Sequence, residues 1–136
     1  MFKKNKSMEK NNPYVQLAML VLPPEVSASF ELVRVEVESV VDGTMLHIYL
    51  DEYNRPPSGK GKLRPNGFYP ESIIRDFPIR DQKVSLHVRR RRWLDDHDTS
   101  VSTDWTLVER GTRYSKEFAA FLKGMLGQIP DYGPLS

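Results

Sequence analysis

Four consecutive arginines followed by a tryptophan, Arg89-Arg90-Arg91-Arg92-Trp93, carry the clearest chemical signal in this chain. A guanidinium is planar and permanently charged, and its fork of donors matches two phosphate oxygens at once. A neighbouring indole can stack on a nucleobase or pack beneath the guanidinium planes. The competing reading is a solvated hairpin rim whose arginines are neutralised by Asp95, Asp96, Asp98 and Asp104. Successive side chains on a strand point to opposite faces, so two of the four arginines fall on the side of Val84, Leu86 and Val88. An unpaired arginine is too costly in that apolar layer. The strand must therefore leave the core by Arg90, or find acid partners.

The other reactive groups offer less. His47 and His87 fall in separate predicted strands, and His97 sits in an acidic turn, so no convergent metal-ligand set is expected. The chain has no cysteine, which excludes disulfides, thiolate nucleophiles and cysteine-ligated metals. No carboxylate spacing suggests an acid–base pair. There is no glycine-rich phosphate loop, nucleophile elbow or HExxH sequence. The expectation is a chain that is not an enzyme, with no catalytic residue, metal or cofactor. Phe68, Tyr69, Phe77, Trp105, Tyr114, Phe118 and Phe121 are read as core.

Charge is segregated beneath a net value of +2. Between Glu25 and Asn54 seven acids face one base, Arg34. From Arg55 to Gly67 there are four bases and no acid, and from Arg75 to Trp93 seven bases against two acids. Such asymmetry suggests an electrostatic partner for the basic part. The loop from Arg55 to Arg64 reads first as a flexible connector, and otherwise as an arm that orders on nucleic acid.

The elements that must position these groups follow from periodicity. The 136 residues suit one domain, here 13–126, flanked by a disordered basic tail over 1–12 and a tail or linker over 127–136. Pro13 opens a helix that Pro23-Pro24 ends, and Pro24 opens a second helical turn. Leu32 to Val40 alternates, with Val33, Val35 and Val37 on one face and Arg34, Glu36 and Glu38 on the other. Asp42-Gly43 is a hairpin signal, with Met45 to Leu50 as the return strand. Glu52 to Pro70 reads as a loop, being rich in proline and glycine. Further strands are predicted at Ser72–Phe77, Lys83–Trp93 and Val101–Val108. Ser115 caps a final helix with an apolar stripe of Phe118, Phe121, Leu122 and Met125. The predicted class is α+β, with about five antiparallel strands in hairpins between a helical N-terminus and a C-terminal helix. No apolar run reaches the roughly 18 residues of a membrane span, and no cleavage site follows Leu17–Leu22, so the expected location is the cytoplasm.

The segment Ile74-Arg75-Asp76-Phe77-Pro78-Ile79-Arg80, with Val84 to Trp93 after it, resembles the N-terminal region of bacterial insertion-sequence transposases. There a short strand ends in an Asp-aromatic-or-Leu-Pro turn, and a second strand runs into an Arg-Arg-aromatic step. Asp104 to Val108, Gly111 to Tyr114, Glu117 to Leu122 and the opening Leu22-Pro23-Pro24-Glu25 fit the same group. The likeness is strongest from Phe68 to Leu122. In the wider family this region is a zinc ribbon that precedes a helix-turn-helix and a DDE-type catalytic domain. This chain has Leu94-Asp95-Asp96 and Ser102-Thr103-Asp104 where the ribbon cysteines would fall. The resemblance thus implies a hairpin without zinc, held by packing of Trp93 and Trp105. It implies recognition of DNA at an element's terminal inverted repeats, with catalysis supplied by a DDE-type transposase chain.

On this reading Arg89, Arg90, Arg91 and Arg92 contact phosphates, flanked by Arg75, Lys83 and Arg113, and Trp93 stacks or supports them. About six phosphate contacts correspond to a log K against log salt slope of roughly −5. The rival is a protein-interaction module, in which the acidic hairpin of Glu36, Glu38, Asp51 and Glu52 and the basic ridge bind the catalytic chain or a second copy.

Overall fold

A computed structural model describes residues 13–77, 79, 82–105 and 115–127. The basic tail, Arg113, Tyr114, the Thr106–Val108 part of the last expected strand and the tail beyond Gly127 lie outside them. Helix α1 spans Pro13–Val21 and α2 spans Pro24–Ser29. Each starts on a proline, whose missing N–H is not needed at a first helical position. Strand β1, Phe30–Val40, turns at Val41-Asp42 into β2, Gly43–Glu52, and Gly43 takes a φ of 136° that favours glycine. Leu32 faces Leu50 but Arg34 faces Tyr49, so Val33 is the extra residue of a bulge. Val33 is therefore exposed rather than inward with Val35, which is fully buried.

The chain continues through β3 (Arg64–Phe68), β4 (Ser72–Ile74), β5 (Lys83–Arg89), β6 (Arg91–Leu94), β7 (Ser100–Val101) and helix α3 (Lys116–Leu126). The α+β class holds, with seven strands among the described residues in place of about five. They form a four-stranded sheet in the order β1-β2-β5-β4 and a three-stranded sheet in the order β3-β6-β7. Strand β3 lies in the stretch read as a loop. It is an edge strand with an irregular register between Pro65 and Phe68, and an edge tolerates the proline that a central strand would not. The pairing is not wholly antiparallel, because β2 and β5 run parallel. The long intervening segment allows that crossover.

The helices cover one face of the four-stranded sheet. Val15, Ala18, Val26, Phe121, Leu122 and Met125 pack there against Val35, Ile48, Leu50, Val84, Leu86 and Val88 in one cluster. Phe30 stacks on Trp105 at 5.5 Å between ring centroids and meets Phe121 edge-on at 5.3 Å. Ser115 caps α3 as expected, its hydroxyl accepting from Phe118 N at 3.1 Å. The acid that completes the cap comes from α2: Glu25 accepts from Ser115 N and Oγ at 3.0 and 3.1 Å. The Ser115 amide holds the Glu25 carboxyl below its ordinary range.

Candidate nucleic-acid interface

The expected single strand through the arginine run is broken at Arg90. Strand β5 belongs to the four-stranded sheet and β6 to the other. Backbone groups freed by the break must find other partners. The Arg90 carbonyl accepts from Tyr69 N at 2.9 Å, and Arg91 N donates to Glu52 Oε1 at 2.8 Å. Burial pushes the Glu52 carboxyl above its ordinary range, opposed by the hydrogen bonds from Arg91 N and Thr103. The strand thus leaves the core at Arg90, one of the two outcomes that sterics allowed.

Acid partners are present too, though not those anticipated. Arg89 lies opposite Asp51 in the parallel register and donates from Nε and Nη2 to its two oxygens at 2.8 and 2.7 Å. That pairing raises the Arg89 pKa. Arg91 Nε donates to the Glu52 carbonyl at 2.9 Å. Both guanidiniums also lie over Phe68, at 4.0 and 4.5 Å from the ring centroid. Asp95 instead closes its own turn by accepting from His97 N and Thr99 N, and those bonds lower its pKa. Asp98 pairs with Arg64.

Alternation sends the other two arginines elsewhere. Arg90 and Arg92 lie over Tyr69, at 4.8 and 6.0 Å from its centroid. With its amide oxygen turned toward Arg92, Asn66 accepts from Nε and Nη2 at 3.0 and 2.8 Å. Among the described residues, neither arginine has a carboxylate within ion-pair distance. Beside Arg90 opens a groove of about 480 Å³, whose lining includes Lys60, Tyr69, Ser100, Ser102, Asp104 and Trp105.

The remaining predicted residues are not gathered here. Trp93 is 2% exposed, so it cannot stack on a ligand, and Tyr69 occupies the place expected for it. Trp105 joins the main core with Phe30 rather than Trp93. Lys83 begins β5, roughly 20 Å along the strand from Arg89, and is held by Asp42 at 2.8 Å. Arg75 is exposed after β4, whose antiparallel register also places it away from Arg89. Arg113 is outside the described residues. Sequence reasoning missed Tyr69 and Asn66, and reached Lys60 only through the alternative reading of the Arg55–Arg64 loop as a nucleic-acid arm. The Phe68-Tyr69 doublet was the available signal, but it was assigned to the core.

The face of the four-stranded sheet away from the helices carries a second cluster. The parallel register sets Tyr49 opposite His87 and His47 opposite Ser85, so the two histidines meet despite their separate strands. His47 Nδ1 and His87 Nε2 are 2.8 Å apart, and His47 Nε2 is 2.7 Å from Glu38. Tyr49 stacks on His87 at 4.2 Å and donates to Glu36 at 3.0 Å. His87 Nδ1 is 3.3 Å from Glu71. Burial lowers the His87 pKa, with Glu71 opposing. No group of histidines and carboxylates among the described residues is arranged to hold a metal ion, and no helix among them is long and apolar enough to cross a membrane. No protein-family model, curated protein or solved structure matches the chain.

Proposed function

We propose that this chain is a non-catalytic nucleic-acid-binding module of a transposase, contacting the DNA ends of an insertion element through Arg90 and Arg92. The observation that carries the reading is their arrangement: two guanidiniums over one tyrosine, with no carboxylate of the described residues in ion-pair contact, although Glu52 lies near enough to feel the charge of Arg90. Stacking on an aromatic ring fixes each cation at little loss of side-chain entropy and leaves for phosphate the donors of Arg90 and those of Arg92 that Asn66 does not hold. Exposed Lys60 and Lys62 extend the basic surface. Arg89 and Arg91 serve to hold the strand break. The resemblance to transposase N-terminal regions supplies the biological setting, with a DDE-type chain as the catalytic partner.

With four cations in place of six, the log–log salt slope for duplex DNA is expected near −3.6. Arg90→Ala with Arg92→Ala should flatten it to about −1.8, while Arg89→Ala leaves it nearly unchanged. Fluorescence-anisotropy titrations at several salt concentrations measure this. A slope indifferent to Arg90 and Arg92 counts against the assignment.

One observation favours the protein-interaction reading. Helix α1 leaves Tyr14, Leu17, Met19 and Leu20 exposed, Leu20 at 82%, a concentration of apolar surface typical of contact sites. The acidic hairpin proposed for that role does not support it, since Glu36, Glu38, Asp51 and Glu52 are engaged within the fold. Sedimentation of the chain with Leu17→Ser and Leu20→Ser separates the two: a dimer lost in the variant assigns α1 to self-association.

A further inference from the structure

The β2–β5 ladder runs as far as Asp51 opposite Arg89 and stops there. The next rung would set Glu52 against Arg90. In its place the Arg90 carbonyl accepts from Tyr69 N, and the Glu52 side chain reaches Arg91 N at 2.8 Å. The carboxylate thus stands where a neighbouring strand would be. Glu52 is itself held from several sides. It ends β2 opposite Phe30, and the residue after it is tied by Tyr53 N donating to the Ser29 carbonyl at 3.0 Å. Its own carbonyl accepts from Arg91 Nε at 2.9 Å, and the Thr103 hydroxyl donates to its carboxylate. Arg91 is therefore fixed through both its amide and its guanidinium. Alternation then sends Arg90 and Arg92 to the other side, over Tyr69.

This anchor carries a charge that the ridge must tolerate. Glu52 is 6% exposed. The groups that favour its ionised form are the Arg91 amide, the Thr103 hydroxyl and the charges of Arg90 and Arg91. Tyr53 and Arg55 border a small hollow of about 130 Å³ beside it. Burial outweighs these groups and keeps the carboxyl above its ordinary range. A charge shielded from water is screened less than one in solvent, so this carboxylate opposes the phosphates that Arg90 attracts. We infer that Glu52 is the positioning residue of the arginine ridge, and that its negative charge holds the ridge's affinity for phosphate below what the same geometry would give around a neutral side chain. The inference rests on the nucleic-acid reading above and adds a regulating group to that site. An approaching phosphate disfavours the ionised carboxylate, so duplex binding and proton uptake at Glu52 favour each other.

Two variants of the full chain separate the roles. Glu52→Gln keeps an acceptor for Arg91 N, lets the Thr103 hydroxyl turn and accept, and removes the charge. Glu52→Asp keeps the charge but is one methylene too short for the Arg91 bond. Duplex DNA should bind Glu52→Gln about threefold tighter than the parent, the effect of a unit charge about 6 Å from a phosphate across water. It should bind Glu52→Asp more weakly, toward the level of the chain lacking Arg90 and Arg92. Hydrogen exchange at the Arg91 amide should stay slow in Glu52→Gln and quicken in Glu52→Asp. The gap between parent and Glu52→Gln should close as pH falls, starting above the roughly 4.3 of an ordinary glutamate, because protonation removes the same charge. The histidines are common to both proteins and cancel in that comparison. Weaker binding by both variants gives Glu52 a structural role alone and overturns the inference. Binding that depends on Arg90 and Arg92 but is unchanged in Glu52→Gln, or in Glu52→Asp, also overturns it and leaves the ridge standing. Failure of the parent to bind the duplex overturns the ridge reading and the inference with it.

Discussion

What surrounds each arginine of the Arg89–Arg92 run decides its use. Arg89 faces Asp51 and Arg91 meets Glu52, so both are committed to the fold. Arg90 and Arg92 share Tyr69. The run itself was plain in the sequence, as was the choice it forced between leaving the core by Arg90 and finding acid partners. Which acids neutralise it was not, because Asp51 lies 38 residues before Arg89 and only the parallel register joins them. The same register hid the His47–His87 contact. That cluster makes a prediction. An unfolded histidine takes up protons near pH 6.5, whereas burial lowers the His87 pKa in the fold. The unfolded state then binds more protons below that pH, so stability present above about 6.5 is lost as pH falls toward the folded value. His87→Phe, which preserves the stack on Tyr49, should flatten the fall between pH 7 and 5. Urea denaturation across that range measures it, and a variant as acid-sensitive as the parent refutes the attribution.

At the level of elements, local signals served well where they were strong. Prolines marked both N-terminal helices, Asp42-Gly43 marked the hairpin and Ser115 marked α3. They failed where tertiary contact overrides composition. Pro65 and Gly67 argued against any strand, yet pairing with β6 makes β3. The bulge that turns Val33 outward leaves no trace in the alternation. Gly124 shows how closely α3 rests on the sheet. A Cβ there would lie 2.7 Å from Ile74 Cγ2, a buried branched side chain on β4. Alanine gains about 1 kcal/mol of helix propensity, but overpacking costs about 1–3 kcal/mol. Gly124→Ala should therefore destabilise by about 1 kcal/mol, and Ile74→Val added to it should recover part of the loss. Thermal unfolding of the single and double variants checks this, and a stabilised single variant contradicts it.

Over the molecule as a whole, the α+β class was readable from periodicity alone, but not that the helices cover one face of a sheet. The split into two sheets was not, because it depends on one strand changing partners at Arg90. The central β2–β5 pair also fixes an order of events. Strands β1 and β2 meet across a two-residue turn, whereas each β2–β5 pair joins residues 38 apart, such as Met45 and Lys83. Closing the longer segment costs more chain entropy before any contact rewards it. The hairpin should therefore be formed in the folding transition state, with β5 docking afterwards. Val35→Ala is expected mainly to slow refolding. Leu86→Ala, which costs about 2–5 kcal/mol, should mainly speed unfolding. Stopped-flow chevrons distinguish them, and a refolding limb slowed equally by both reverses the order. If β5 docks last, the arginine ridge is the final surface the chain assembles, and a nascent or partly unfolded molecule would present its acidic hairpin without the cations that later balance it.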